Sequence, residues 1–277
     1  MDPRKIENYS VLDQPLVLKY LFHPRLEKGS RPAQTIREDI MIRVDEGIYL
    51  SASFHFAHQA APLLLFFHGN GEIVSDYDDF GRFYTDIGLN FLVVDYRGYG
   101  RSTGIPTVAS MIKDCHRIFD FVPVYRQKHK LTGPVCVMGR SLGSASAVEL
   151  GATRADELSC LIIESGFARI SPLLKKLGVD PDRIGFKEGR GNENIDKIKT
   201  VSKPCLVIHA EFDHIIPFSE GKALFKACGS ISKTLLEIKG ANHNDLFFKD
   251  MNSYLDHIQK ICHLSVDVES GSLQNSI

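Results

Sequence analysis

The sequence predicts one α/β domain, a mostly parallel sheet of about eight strands flanked by helices, and three observations carry that expectation. Short apolar runs that end in glycine or in polar loops alternate with longer amphipathic stretches, the rhythm of strands and crossover helices. Gly139-Arg140-Ser141-Leu142-Gly143 stands between one such run and a small-residue helix start. An aspartate and a histidine follow, each just beyond a later run. With 277 residues, 43% of them hydrophobic, the chain can bury a large core.

Residues 1–34 are set apart as an N-terminal extension, 35–263 as the domain and 264–277 as a short, serine-rich, frayed tail. Segments 38–44 and 48–55 read as an antiparallel hairpin around Asp45-Glu46-Gly47, packed on the sheet edge. Buried strands are expected at 62–67, 90–94, 134–138, 158–163, 203–210 and 234–238. Helices are expected at 79–87, 108–128, 142–153, 219–227 and 245–263, the second of them ended or kinked near Phe121 by Pro123. Residues 165–202 hold helical and turn-like sequence without a long apolar pattern, room for only a short cap over an open or shallow pocket.

Thirty-three basic residues face thirty-four acidic ones, a formal charge of −1 that offers no net field for nucleic acid or an anionic membrane surface. No apolar run approaches the roughly 18 residues of a membrane span, and MDPRKIENYS lacks the pattern of a signal peptide. A cytoplasmic protein is expected. Cys136, Cys160 and Cys205 fall inside apolar runs, and no CxxC pair occurs, so the six cysteines read as small core residues. Neither metal nor cofactor is expected.

The glycines around Ser141 allow the tight strand-to-helix turn that lifts a serine hydroxyl clear of a sheet. That hydroxyl is a poor nucleophile unless a base lies within hydrogen-bond reach. His243, after the run 234–238 and behind Gly240-Ala241-Asn242, is the expected base, with His209 and His214 as competitors. Asp213, after the run 203–210, is the expected acid, with Glu164 and Asp245 as alternatives. Open α/β sheets place their sites at such carboxyl ends. Main-chain N–H groups of Leu142 and of Asn70, with Gly71 second, are the expected donors to a developing oxyanion. His68 reads as structural, a ring bracing its loop.

HGNGE, DYRGYGRSTG, GRSLG, the D-x-x-I-P loop and the G-x-x-H loop together resemble the α/β-hydrolase superfamily, most closely the small, cap-poor Bem46-like hydrolases. The resemblance implies the α/β-hydrolase fold and a Ser-His-Asp serine hydrolase, and it leaves the substrate open. A carboxylesterase or thioesterase acting on small to medium acyl groups through an acyl-enzyme is the leading expectation. A peptidase or amidase of the same fold and a non-catalytic hydrolase-like binding protein are the alternatives. The expected partner is a small acyl ester or thioester.

Overall fold

In the computed structural model residues 9–29, 37–189 and 193–272 are described, with side chains described through residue 263. Eight strands form one sheet: β1 (Arg37–Asp45), β2 (Ile48–His55), β3 (Leu63–Phe67), β4 (Asn90–Val94), β5 (Val135–Arg140), β6 (Cys160–Glu164), β7 (Cys205–Ala210) and β8 (Lys233–Ile238). Their order is β1-β2-β4-β3-β5-β6-β7-β8. β2 runs antiparallel to both β1 and β4, and the pairs from β4 to β8 are parallel.

Both faces of the central parallel strands β3, β5 and β6 are covered, which is why they read as mainly apolar runs. Alternate residues divide between two core layers. Leu63, Leu65, Phe67, Val137 and Ile163 face α3 (Val108–His129), α4 (Ser144–Thr153) and α7 (Phe218–Ala227). Leu64, Phe66, Met138 and Ile162 face α2 (Gly81–Asp86) and α9 (Met251–Ser272). The cysteines are buried, and the Sγ atoms of Cys136, Cys160 and Cys262 lie within 4.8 Å of one another in the second layer. Among the described residues no helix is long and apolar enough to cross a membrane.

Three expectations need correction. Pro123 does not end α3, which is helical from Val108 to His129. Proline there removes one hydrogen bond on an exposed face, while Ile118, Phe119, Val122 and Tyr125 are buried on the opposite face and hold the helix in place. The last helix does not stop at His263 but continues to Ser272. The segment set apart as an extension packs into the core: α1 (Pro15–Leu21) and its flanks bury Leu12, Val17 and Phe22. Asp13 Oδ1 latches it by accepting the Val108 N–H at 2.7 Å, at the N-terminus of α3.

A buried ionic knot ties three helices together. Glu149 of α4 takes Lys197 Nζ at 2.7 Å, from α6 (Asn194–Lys197), and His116 Nε2 of α3 at 3.2 Å. Burial pushes the Glu149 carboxyl up, but the His116 hydrogen bond and the Lys197 charge outweigh it and hold it down at about 2. A folded-state value below the unfolded one contributes stability that is complete above pH about 4.5 and drains away as pH falls towards about 2. The contribution is on the order of 3 kcal/mol at neutral pH. Thermal melts from pH 7 to pH 2 are expected to lose Tm through that window. In Glu149→Gln the neutral-pH Tm is lower and that part of the slope is flattened, whereas an unchanged acid slope would remove the knot from the account.

Candidate functional site

β5 leads directly into the site. Arg140 ends the strand, Ser141 follows with φ +52°, and Ser144 begins α4. A left-handed conformation at a non-glycine residue is strained, and packing on both sides holds it here. A Cβ on Gly143 would collide with the Phe67 carbonyl oxygen at the end of β3, so only glycine lets helix and strand approach this closely.

The loops after β7 and β8 bring two further side chains to Ser141. His243 Nε2 lies 3.0 Å from Ser141 Oγ, and His243 Nδ1 lies 2.7 Å from Asp213 Oδ2. The other oxygen, Asp213 Oδ1, accepts the N–H groups of Ile215 at 2.9 Å and Ile216 at 2.7 Å. Burial raises the Asp213 carboxyl, but the hydrogen bond and charge of His243 and the Ile216 N–H outweigh it, leaving the group below its usual range. Ser141 is 8% exposed and His243 3%.

The competing residues have other tasks. His209 is buried beneath the acid loop and donates from Nε2 to the Ile216 carbonyl at 2.9 Å; burial pushes its pKa down. His214 is exposed, with its carbonyl bonded to Lys176 Nζ. Asp245 accepts the Asn242 N–H at 2.7 Å and closes the turn before His243. Glu164 accepts from Arg140 Nε at 2.9 Å and from the Tyr254 hydroxyl at 2.6 Å.

The Asn70 N–H has no acceptor among the described residues, and the Leu142 N–H follows Ser141 directly in a short 3-10 turn, Ser141–Gly143. Two residues before Asn70, His68 braces the loop from Nδ1 to the Gly69 carbonyl at 2.8 Å and from Nε2 to Asp95 at 3.1 Å. The Asn70 side chain is occupied: Oδ1 accepts from Tyr99 Oη at 2.6 Å and His23 N at 2.9 Å, and Nδ2 donates to the Leu21 carbonyl at 2.9 Å. It thereby fastens the N-terminal segment to this loop. Arg97 forks onto Asp114 with two bonds of 2.7 Å, outside the site.

A cavity of about 30 Å³ lies beside the residues that follow Ser141. Leu142 and Ala145 form one wall, Leu12 and Leu21 another, and Phe167 and Ile170 a third. The N-terminal segment thus supplies one side of this cavity through Leu12 and Leu21. Its contribution was not foreseen, nor was that of Arg140 and Glu72, which join in an ion pair beside the site.

An imidazole between a hydroxyl and a carboxylate can move a proton off the serine while a carbonyl is attacked. Residues 58–180 match the family described as serine aminopeptidase, S33. The chain is also 30% identical to "Protein bem46" of Schizosaccharomyces pombe over 82% of its own length and 73% of that protein. The chain belongs to the Bem46-like α/β-hydrolases. Another relative is human "Alpha/beta hydrolase domain-containing protein 17B", 30% identical over 76% of this chain and 70% of that one. An esterase of Pyrococcus furiosus shares the fold, with a TM-score of 0.69 at 14% identity over 87% of this chain and 96% of the esterase. This Bem46-like chain is therefore a hydrolase by family and an α/β-hydrolase by architecture.

Proposed function

We propose that this hydrolase cleaves carboxylic esters or thioesters of short acyl groups through an acyl-enzyme at Ser141. The observation that carries the reading is the unbroken chain from Asp213 through His243 to Ser141, at 2.7 and 3.0 Å. His243 Nε2 takes the Oγ proton as Oγ bonds to the acyl carbon, and the carbonyl oxygen becomes an oxyanion facing the N–H groups of Leu142 and Asn70. Collapse breaks the bond to the leaving oxygen or sulfur, which receives the proton from His243. Water repeats the sequence, releases the acid and restores the serine. Asp213 holds Nδ1–H and supports the imidazolium.

The apolar walls beside Leu142 favour an acyl chain, and their small volume favours a short one. Forcing further methylenes into packed walls costs about 1–3 kcal/mol, roughly fivefold to a hundredfold or more in rate. p-Nitrophenyl esters from acetyl to dodecanoyl, with matched thioesters, are expected to give the highest kcat/KM at two to four carbons and a clear decline by octanoyl. A fluorophosphonate should label the folded wild type once per chain. A rising profile to long chains would overturn the size preference, and failure to label would overturn the reading itself. An aminoacyl p-nitroanilide belongs in the panel because of the aminopeptidase family match, and its preferred turnover would replace the ester reading with an amidase one.

A further inference from the structure

Behind Ser141 lies a charged cluster that takes no part in the proton transfers. Arg140 reaches three elements at once. Its Nε donates to Glu164 Oε1 at 2.9 Å at the end of β6, and one terminal nitrogen pairs with Glu72 Oε1 in the loop after β3. The other donates to the His243 main-chain carbonyl at 2.8 Å. Glu72 passes the connection on, since its Oε2 accepts the Gly69 N–H at 2.7 Å and the Tyr77 hydroxyl at 2.6 Å. Arg140 and Glu164 are register partners on adjacent strands, so the sheet sets their spacing. A Cβ on Gly69 would stand 2.6 Å from an Arg140 terminal nitrogen and 2.8 Å from Glu72 Oε1, so the bare backbone there is what lets this pair close against the loop.

We infer that Arg140 is a positioning residue that locks the loop bearing His243 and the loop bearing the Asn70 N–H to the strand that carries Ser141. The inference rests on the acyl-transfer reading above. Arg140 itself precedes Ser141, and two of its connections end within one residue of a reacting group: through Glu72 at Gly69, before Asn70, and at the carbonyl of His243 itself. The planar guanidinium supplies donors in three directions, which a lysine ammonium on a flexible stem cannot reproduce. One cation also stands between two carboxylates in a protected site, so its removal leaves both uncompensated. Around the His243 ring stand Asp213 and His209 on the acid side, Ser141 on the other, and Glu164 behind, coupled to the ring by charge.

The test compares Arg140→Lys, Arg140→Ala and Glu72→Gln with wild type and Ser141→Ala on a short-chain p-nitrophenyl ester. Rates are taken per fluorophosphonate-labelled site, or per folded chain for Ser141→Ala, which lacks the labelled hydroxyl, so that unfolded protein does not count. Arg140→Lys keeps the charge and loses the fork: kcat is expected to fall about a hundredfold, the scale of an ångström's misplacement, with KM changed less than threefold. Arg140→Ala is expected to fall further and to move the acid limb of the kcat/KM profile to higher pH, because Glu164, relieved of its cation, then favours the protonated base. Added guanidinium can enter through the adjoining aromatic-lined cavity of about 180 Å³, which borders Arg140, Glu72 and Glu164, and should restore at least tenfold. Glu72→Gln should lower kcat without the change of acid limb seen in Arg140→Ala. Rates per labelled site within twofold of wild type in the lysine and glutamine variants, with an unmoved acid limb, would overturn the inference even if the alanine variant fails to fold. Full turnover by Ser141→Ala would instead overturn the acyl-transfer reading.

Discussion

Ser141→Ala is expected to lower kcat for a short-chain ester by about a millionfold, the scale on which loss of the nucleophile acts in a triad of this kind. The hydroxyl cannot be replaced locally. Ser144 Oγ donates to the Ser141 carbonyl at 2.6 Å and faces away from His243, and Ser146 is buried on α4. On the proposed mechanism, what remains is the polarisation of a carbonyl by the N–H groups of Leu142 and Asn70 while water attacks. Alanine occupies the same φ +52° as serine, so the Tm should stay within a few degrees of wild type and the loss cannot be assigned to unfolding. Steady-state turnover and fluorophosphonate labelling on the same preparation decide the matter. Turnover within tenfold of wild type, with labelling abolished, would remove Ser141 from the chemistry.

Much of this arrangement is legible in the sequence because the fold confines each reacting group to a strand end. The runs at 62–67 and 134–138 are apolar throughout, and that at 90–94 after Asn90, because helices cover both faces, and the loops that follow them are where side chains can leave the sheet. GRSLG and the loops around Asp213 and His243 could be read from spacing and turn chemistry. Three-dimensional partnership could not. Glu164 stands at a strand end like the expected acid, yet the neighbouring strand presents Arg140 to it, and that pairing depends on sheet register. The seven residues of α1 are too few for a helical period to stand out, and what holds them is distant: Asp13 on the start of α3 and Asn70 on Leu21. Pro123 misled for the opposite reason, a local rule overridden by a buried face that only the tertiary structure supplies.

Asp213→Asn is expected to cost about ten-thousand-fold in kcat while leaving the loop folded, and the hydrogen bonds around the carboxylate say why. Asp213 Oδ1 accepts two main-chain N–H groups, from Ile215 and Ile216, and an asparagine must keep its carbonyl oxygen there to satisfy them. Its NH₂ is then turned towards His243 Nδ1, where the carboxylate oxygen now sits at 2.7 Å. An NH₂ donor demands an Nδ1 lone pair, so the ring proton moves to Nε2, the nitrogen 3.0 Å from Ser141 Oγ. Nε2 would then donate to the serine instead of accepting from it, and no base remains. His209 cannot substitute, because its Nε2 is committed to the Ile216 carbonyl. Asp213→Ala imposes no such tautomer but leaves the two N–H groups without an acceptor, so it should lose more Tm than the asparagine variant. Equal kcat for Asp213→Asn and wild type would show that the ring does not depend on Asp213 for its orientation, and the proton path from Ser141 would have to be redrawn.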